Sequence, residues 1–171
     1  MNRIPRELYY LEIAKAAAMR STCINKHWGA VIVKDDAIIS TGYNGSPRGV
    51  PNCCDTGYCY RIENNIQRGT QYERCMAIHA EANAIINASH EQMINATLYL
   101  YGYDVLGNCL VDNPDSCIMC KRMIINSGIT EVVFADKNGI MKHKHPNLEF
   151  GYRIVQVRNW VDSFNLAETG Y

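Results

Sequence analysis

The chain has 171 residues, 17 Lys+Arg balanced by 17 Asp+Glu, and 47% hydrophobic residues. A formal charge of +0 argues against a protein whose main task is gripping long nucleic acid, and the hydrophobic and charged fractions exclude a disordered chain. No apolar run is long enough to span a bilayer and no apolar stretch follows residues 1–7 to make a secretory signal, so we expect one domain, residues 1–171, in the cytoplasm.

Residues 5–20 are expected to form an amphipathic helix. Ile4, Leu8, Leu11 and Ala14 or Ala18 recur at three- and four-residue steps, and Pro5 suits a first helical position. The β-branched run 29–33 predicts a strand, Lys34-Asp35-Asp36 a turn and 37–42 a second strand, together a hairpin. Residues 43–76 read as irregular, with Gly45, Pro47, Gly49, Pro51, Gly57 and Gly69, and they hold Cys53, Cys54, Cys59 and Cys75. A loop this long inside a compact domain needs something to pin it, and a metal ion is one candidate. Residues 79–88, rich in Ala and free of Gly and Pro, predict a helix. A strand at 96–101, a polar connection at 102–114, a helix at 117–126 closed by Gly128, and a strand at 129–134 follow. An edge strand at 152–157 and a short helix from Trp160 to Leu166 end the series. The order β-β-α-β-α-β implies one sheet with helices packed on it, two of its strands parallel and joined by the 117–126 helix as a right-handed crossover.

The outlying number is eight cysteines. In a chain that is neither short nor visibly secreted, they point to metal, catalysis or burial rather than to disulfides. His79-Ala80-Glu81 opens one predicted helix and Cys117-Ile118-Met119-Cys120 another. A Cys-x-x-Cys at a helix N-terminus turns both sulfurs to one point, and the helix dipole favours thiolates there. One imidazole and two thiolates make three ligands and leave the fourth tetrahedral position of Zn²⁺ for water, the mark of a catalytic site. Glu81, beside the metal but not on it, is placed to take a proton from that water and return it elsewhere. Taken alone, the cysteine pair reads as a redox pair or half of a structural zinc site, and the histidine as a core or surface residue. Only the joint pattern carries the chemistry.

His79-x-Glu81 with Cys117-x-x-Cys120 matches the zinc-deaminase signature, and the chain resembles one family within that group. His79-Ala80-Glu81-Ala82-Asn83-Ala84-Ile85, with Gly42-Tyr43-Asn44-Gly45-Ser46-Pro47-Arg48-Gly49, is similar to the deoxycytidylate (dCMP) deaminase family of the cytidine deaminase-like superfamily. Arg20-Ser21-Thr22-Cys23 followed by Gly29-Ala30-Val31-Ile32 resembles its first helix and strand, and residues 120–129 resemble the helix and turn after its second zinc motif. The likeness covers most of residues 8–136. There is one departure: the family usually has Pro directly before the first Cys, and here it is Ser116, preceded by Asp115, after a long loop 102–116. The rim of the site is therefore expected to be shaped differently.

The resemblance implies a three-layer α/β/α cytidine deaminase-like fold with a central mixed sheet of about five strands. It implies zinc-dependent hydrolysis of dCMP by an activated water, giving dUMP and ammonia, within pyrimidine deoxynucleotide metabolism. His79, Cys117 and Cys120 would hold the catalytic zinc. Glu81 would protonate ring N3 and then the departing amine. Asn44 would contact the base or sugar, against the plainer reading of a turn residue in Asn-Gly. A homo-oligomer, often a hexamer, is implied as well, with dCTP as activator, dTTP as inhibitor and Mg²⁺ accompanying a triphosphate effector.

Of the remaining cysteines, Cys23, Cys53, Cys59 and Cys75 come from four places and would close a second, structural zinc site, as in similar family members. Cys54 is an alternative to Cys53, and buried free thiols are the plainer reading. Cys109 reads as a loop or core thiol. Arg20, Arg48, Arg61, Arg74, His143 and Lys144 are candidates for a phosphate. Arg48 is best placed, because with Asn44 and Gly45 it lies in a turn able to curl around a nucleotide. Two rivals stay open: another deaminase of the superfamily, acting on a nucleoside, a free base or a tRNA adenosine, and a non-catalytic zinc-binding scaffold such as a DNA-uptake accessory protein, which has no need of Glu81. Neither a membrane nor polymeric nucleic acid is expected as a partner.

Overall fold

The computed structural model describes residues 3–139 and 150–164, so His143, Lys144 and the expected helix end at Leu166 lie outside it. Helix α1 (Arg6–Ala18) begins after Pro5, which caps it from outside rather than occupying its first turn. Strands β1 (Lys26–Lys34) and β2 (Ala37–Tyr43) form the expected hairpin. Its turn residues Asp35 and Asp36 both sit at positive φ, 51° and 61°, which matches the twist of the flanking strands. Strands β3 (Thr97–Asp104), β4 (Cys109–Leu110), β5 (Glu131–Asp136) and β6 (Gly151–Gln156) complete one sheet in the order β2-β1-β3-β5-β6, with β4 paired to β3. Only β3 and β5 run parallel.

Side chains alternate across the strands, and the two faces are covered by different helices. Ala30, Ile32, Leu98, Leu100, Val132 and Phe134 face α4 (Ala80–Ile86), α6 (Ile118–Asn126) and α7 (Val157–Ser163). Val31, Val33, Tyr99, Tyr101 and Val133 face α1 through Leu8, Leu11 and Ala14. The result is the three-layer α/β/α arrangement with α6 as the crossover between the parallel strands.

Two contacts seat helices directly on the sheet. A Cβ on Gly29 would lie 2.0 Å from the Ala14 carbonyl oxygen, and one on Gly42 would lie 2.3 Å from that of Ala80. Ser40 adds a buried hydrogen bond, its hydroxyl donating to Ala84 O at 2.7 Å. Helix α4 is thus held against β2 at its first and second turns.

Some boundaries differ from expectation. Strand β1 starts at Lys26, not Gly29, because Lys26, His27 and Trp28 pair with Asp104, Tyr103 and Gly102 at the far end of β3. The stretch read as irregular contains α2 (Cys53–Thr56), α3 (Tyr60–Glu63) and a 3-10 turn, Tyr72–Arg74, and α5 (His90–Met93) follows α4. No helix among the described residues is long and apolar enough to cross a membrane.

Candidate active site

His79 and Cys117 are the N-caps of α4 and α6. The two helices share one core through Ala80, Ala84, Cys120 and Ile124, and their N-termini meet. His79 Nδ1 lies 3.4 Å from both Cys117 Sγ and Cys120 Sγ, and all three ligand atoms lie within 4.8 Å of one another. The Cys120 backbone N–H donates to Cys117 Sγ at 3.5 Å. A cavity of about 310 Å³ opens onto this group, lined by Trp28, Asn44, Arg61, Tyr72, His79 and Glu81 among others.

The donor set suits zinc: two soft sulfurs and an imidazole nitrogen. The hydrogen bond between the Cys120 and Cys117 thiols, and then that from His79, pull the Cys117 thiol well below its ordinary range against the effect of burial. The same bond and burial push Cys120 up. A divalent ion bound between them would favour the thiolate form of both sulfurs.

Glu81 is 6% exposed. Burial pushes its carboxyl above the usual range, opposed by the charge of His79, its own backbone N–H and the Ser116 hydroxyl. That hydroxyl is buried and completes no hydrogen bond of normal geometry. Burial alone would lower His79, but its hydrogen bond to Cys117 and the charge of Glu81 outweigh burial and raise it. The site thus brings together a ligand set and a separate buried carboxylate.

Asn44 lines the cavity, but its side chain is engaged in the protein. Oδ1 accepts from the Trp28 N–H and from the Ser21 hydroxyl, both at 2.7 Å, and Nδ2 donates to Lys26 O at 2.8 Å. It clamps the start of β1, and one amide hydrogen stays uncommitted. Gly45 exchanges backbone hydrogen bonds with Ile78, 3.2 and 2.8 Å, which ties this turn to the residue before His79. Neither Gly45 nor Arg48 is a cavity residue: after that bridge the Pro47–Val50 turn leads outward and Arg48 is exposed. Lys26, Arg61 and Arg68 are the basic residues that line the cavity.

Cys23, Cys53, Cys54, Cys59 and Cys75 lie in one neighbourhood, whereas Cys109 stands on β4. Cys54 N–H donates to Thr22 O at 3.1 Å, bringing the 53–56 turn to Cys23. The Cys53 thiol is raised by burial and then by the charges of Cys23, Cys59 and Cys75. Cys54 is exposed, its thiol beside Asp55 at 3.6 Å. Among the described residues, only His79, Cys117 and Cys120 bring three ligand atoms to metal-binding spacing.

Reasoning from sequence missed Trp28, Lys26, Arg68 and Tyr72. Tyr72 meets His79 edge to face, ring centroids 4.9 Å apart at 89°. The one available signal was position: Tyr72 falls three residues before Cys75 and seven before His79.

Residues 5–136 match the family model described as the cytidine and deoxycytidylate deaminase zinc-binding region. The deoxycytidylate deaminase of Mycobacterium phage D29 is 37% identical over 136 residues, 78% of this chain and 97% of that protein. That of Schizosaccharomyces pombe is 34% identical over 158 residues, covering 92% of this chain but only 44% of the yeast protein. Among solved structures, the apo dCMP deaminase of cyanophage S-TIM5 superposes with a TM-score of 0.54 at 23% identity, over 78% of this chain and 86% of that one, a likeness of fold. With the match running through both helices that carry His79, Glu81, Cys117 and Cys120, the chain belongs to the cytidine and deoxycytidylate deaminase zinc-binding family.

Proposed function

We propose that the protein converts dCMP and water to dUMP and ammonia at this site. The carrying observation is the convergence of His79, Cys117 and Cys120 with a separate buried carboxylate, Glu81, on one cavity. The family membership and the deoxycytidylate deaminases at 34% and 37% identity support the substrate.

His79, Cys117 and Cys120 are the residues that would hold zinc, which would supply the Lewis acidity that lowers the pKa of a water toward neutrality. The Glu81 carboxylate accepts a proton from the attacking water and delivers it to N3 of the ring. It then takes the remaining proton from the oxygen added at C4 and passes it to the departing 4-amino group, so that C4=O forms as the C4–N bond breaks and ammonia leaves. A carboxyl raised by burial suits this exchange. The cavity walls, Trp28 and Tyr72 among them, shield the transfer from bulk water. The uncommitted amide hydrogen of Asn44 contacts the base or sugar. Lys26, Arg61 and Arg68 line the cavity beside Glu81 and Asp115 and are its candidates for a charge-assisted contact to a phosphate. Lys26 is also paired to Asp104, and Arg68 donates to Asp112 O and Asn113 O. Arg48 and Gly45 act from outside its lining.

Further parts of this reading are a second, structural zinc on Cys23, Cys53, Cys59 and Cys75, one domain over residues 1–171, a cytoplasmic homo-oligomer, and control by dCTP and dTTP with Mg²⁺. Metal analysis tests the second zinc: we expect about two ions per chain, falling to one in Cys59→Ser. Steady-state deamination of dCMP, deoxycytidine, cytosine and a tRNA anticodon stem, each with and without dCTP and dTTP, tests the substrate and its control. A phosphate held by charge-assisted hydrogen bonds contributes about 2–3 kcal/mol, or roughly 30- to 150-fold in kcat/KM for dCMP over deoxycytidine. Equal values would remove the phosphate-reading cavity. A flat response to both triphosphates would remove the regulation alone.

A further inference from the structure

Arg61 is 9% exposed, and among the described residues no carboxylate pairs with it. Burying a cation is costly, so its surroundings show what it is there to hold. One guanidinium nitrogen donates to Thr70 O at 2.6 Å and Gln71 O at 3.3 Å, and the other donates to Gln67 O at 2.9 Å. The planar fork thereby grips three carbonyls of a single five-residue segment, which the point charge of a lysine cannot do. Gln71, one of the three, is held at φ 50°, a left-handed conformation that a non-glycine residue keeps only when its surroundings enforce it.

The next residue is Tyr72. The guanidinium stacks on its ring at 4.5 Å, and the hydroxyl accepts the Gly69 N–H at 3.2 Å. The ring is therefore fixed from both ends, and it meets the His79 imidazole edge to face at 4.9 Å. The orientation of a metal-binding histidine is set by the groups around its ring, and an edge-to-face aromatic contact is one such constraint.

We propose that Arg61 is a positioning residue for the metal site: it locks the 67–72 segment so that the Tyr72 ring holds the His79 imidazole in its ligating orientation. This rests on the reading of His79 as a zinc ligand. Arg61 touches neither the metal nor the reacting atoms in this role, and it acts through Tyr72.

The test is zinc affinity of the full chain without nucleotide, by competition with a chelating dye, taking the His79-dependent part as the difference from His79→Ala. Circular dichroism checks the fold of each variant. Arg61→Lys and Tyr72→Ala are each expected to weaken that zinc by about two- to tenfold, and Tyr72→Phe, which keeps the ring and loses only the bond to Gly69, to weaken it less than Tyr72→Ala. The double variant Arg61→Lys/Tyr72→Ala is expected to be no weaker than either single one, because both remove the same link. Wild-type affinity in Arg61→Lys, losses that multiply in the double variant, or a Tyr72→Phe as weak as Tyr72→Ala would each overturn the proposal. Should Arg61→Lys fail to fold, the contrast between the two Tyr72 variants decides. A wild-type protein with no His79-dependent zinc would overturn the site reading itself, and this proposal with it, whatever its activity on dCMP.

Discussion

Gly42 lies in β2, far in sequence from His79, Cys117 and Cys120, yet replacing it with alanine is expected to disable the site. The added Cβ would lie 2.3 Å from Ala80 O and 2.4 Å from Ala84 N. Both are backbone atoms of α4, so no side-chain rotation relieves the clash. Restoring ordinary contact at 3.4 Å from 2.3 Å requires about 1.1 Å of movement of α4 away from the sheet. His79 caps that helix and Glu81 lies in its first turn, so both move relative to Cys117 and Cys120 on α6. A displacement of about 1 Å at reacting groups costs on the order of 100-fold in rate, and overpacking costs about 1–3 kcal/mol of stability. The assay is kcat for dCMP, zinc content and thermal unfolding of Gly42→Ala. Ser40→Ala serves as the milder comparison, because it loses only the hydrogen bond to Ala84 O and about 1 kcal/mol. A Gly42→Ala protein with wild-type kcat and zinc would refute the claim that the seat of α4 on β2 sets the site.

Three further outcomes are expected. Glu81→Gln keeps its zinc and loses 100-fold or more in kcat, measured as ammonia release beside metal analysis, whereas His79→Ala loses both. Ser116→Ala removes a buried hydroxyl beside the Glu81 carboxyl that completes no hydrogen bond of normal geometry, so kcat is expected to fall by less than the roughly tenfold of a full hydrogen bond to a charged group, with zinc content unchanged. The Tyr10 and Tyr99 hydroxyls are pushed from 10.0 to about 12 by burial, Tyr10 also by its bond to Asp36. The folded state then keeps protons that the unfolded chain releases, so stability is full below pH 10 and falls as pH rises toward 12. Urea denaturation at pH 9 and pH 11.5 reads this, and Tyr99→Phe flattens part of the loss.

The sheet was legible because its strands are β-branched runs bounded by polar turns, as in residues 29–33 and 129–134. The catalytic constellation was legible because its spacing is local to two helix starts: His79 and Glu81 on one, Cys117 and Cys120 on the other. What escaped was set by contacts between distant segments. Lys26-His27-Trp28 is too polar to read as strand, and it becomes one by pairing with residues 102–104. The short helices in 53–63 are four residues each, below the length at which periodicity shows. Among the basic candidates, Arg61 lines the cavity and Arg48 does not, while Arg68 and Tyr72 come from a segment with no periodic pattern to mark them. Asn44 illustrates both limits: the Asn-Gly pair marked a turn, while its clamp on Trp28 and Lys26 exists only in the fold.

The most direct test of the central claim is dCMP turnover by the purified protein before metal removal, after chelation, and after zinc is returned. We expect one ammonia and one dUMP per dCMP consumed, loss of turnover in the chelated protein, and recovery on adding zinc. Zinc-loaded wild-type protein that leaves dCMP unchanged, or turnover that survives complete removal of the metal, would contradict the account.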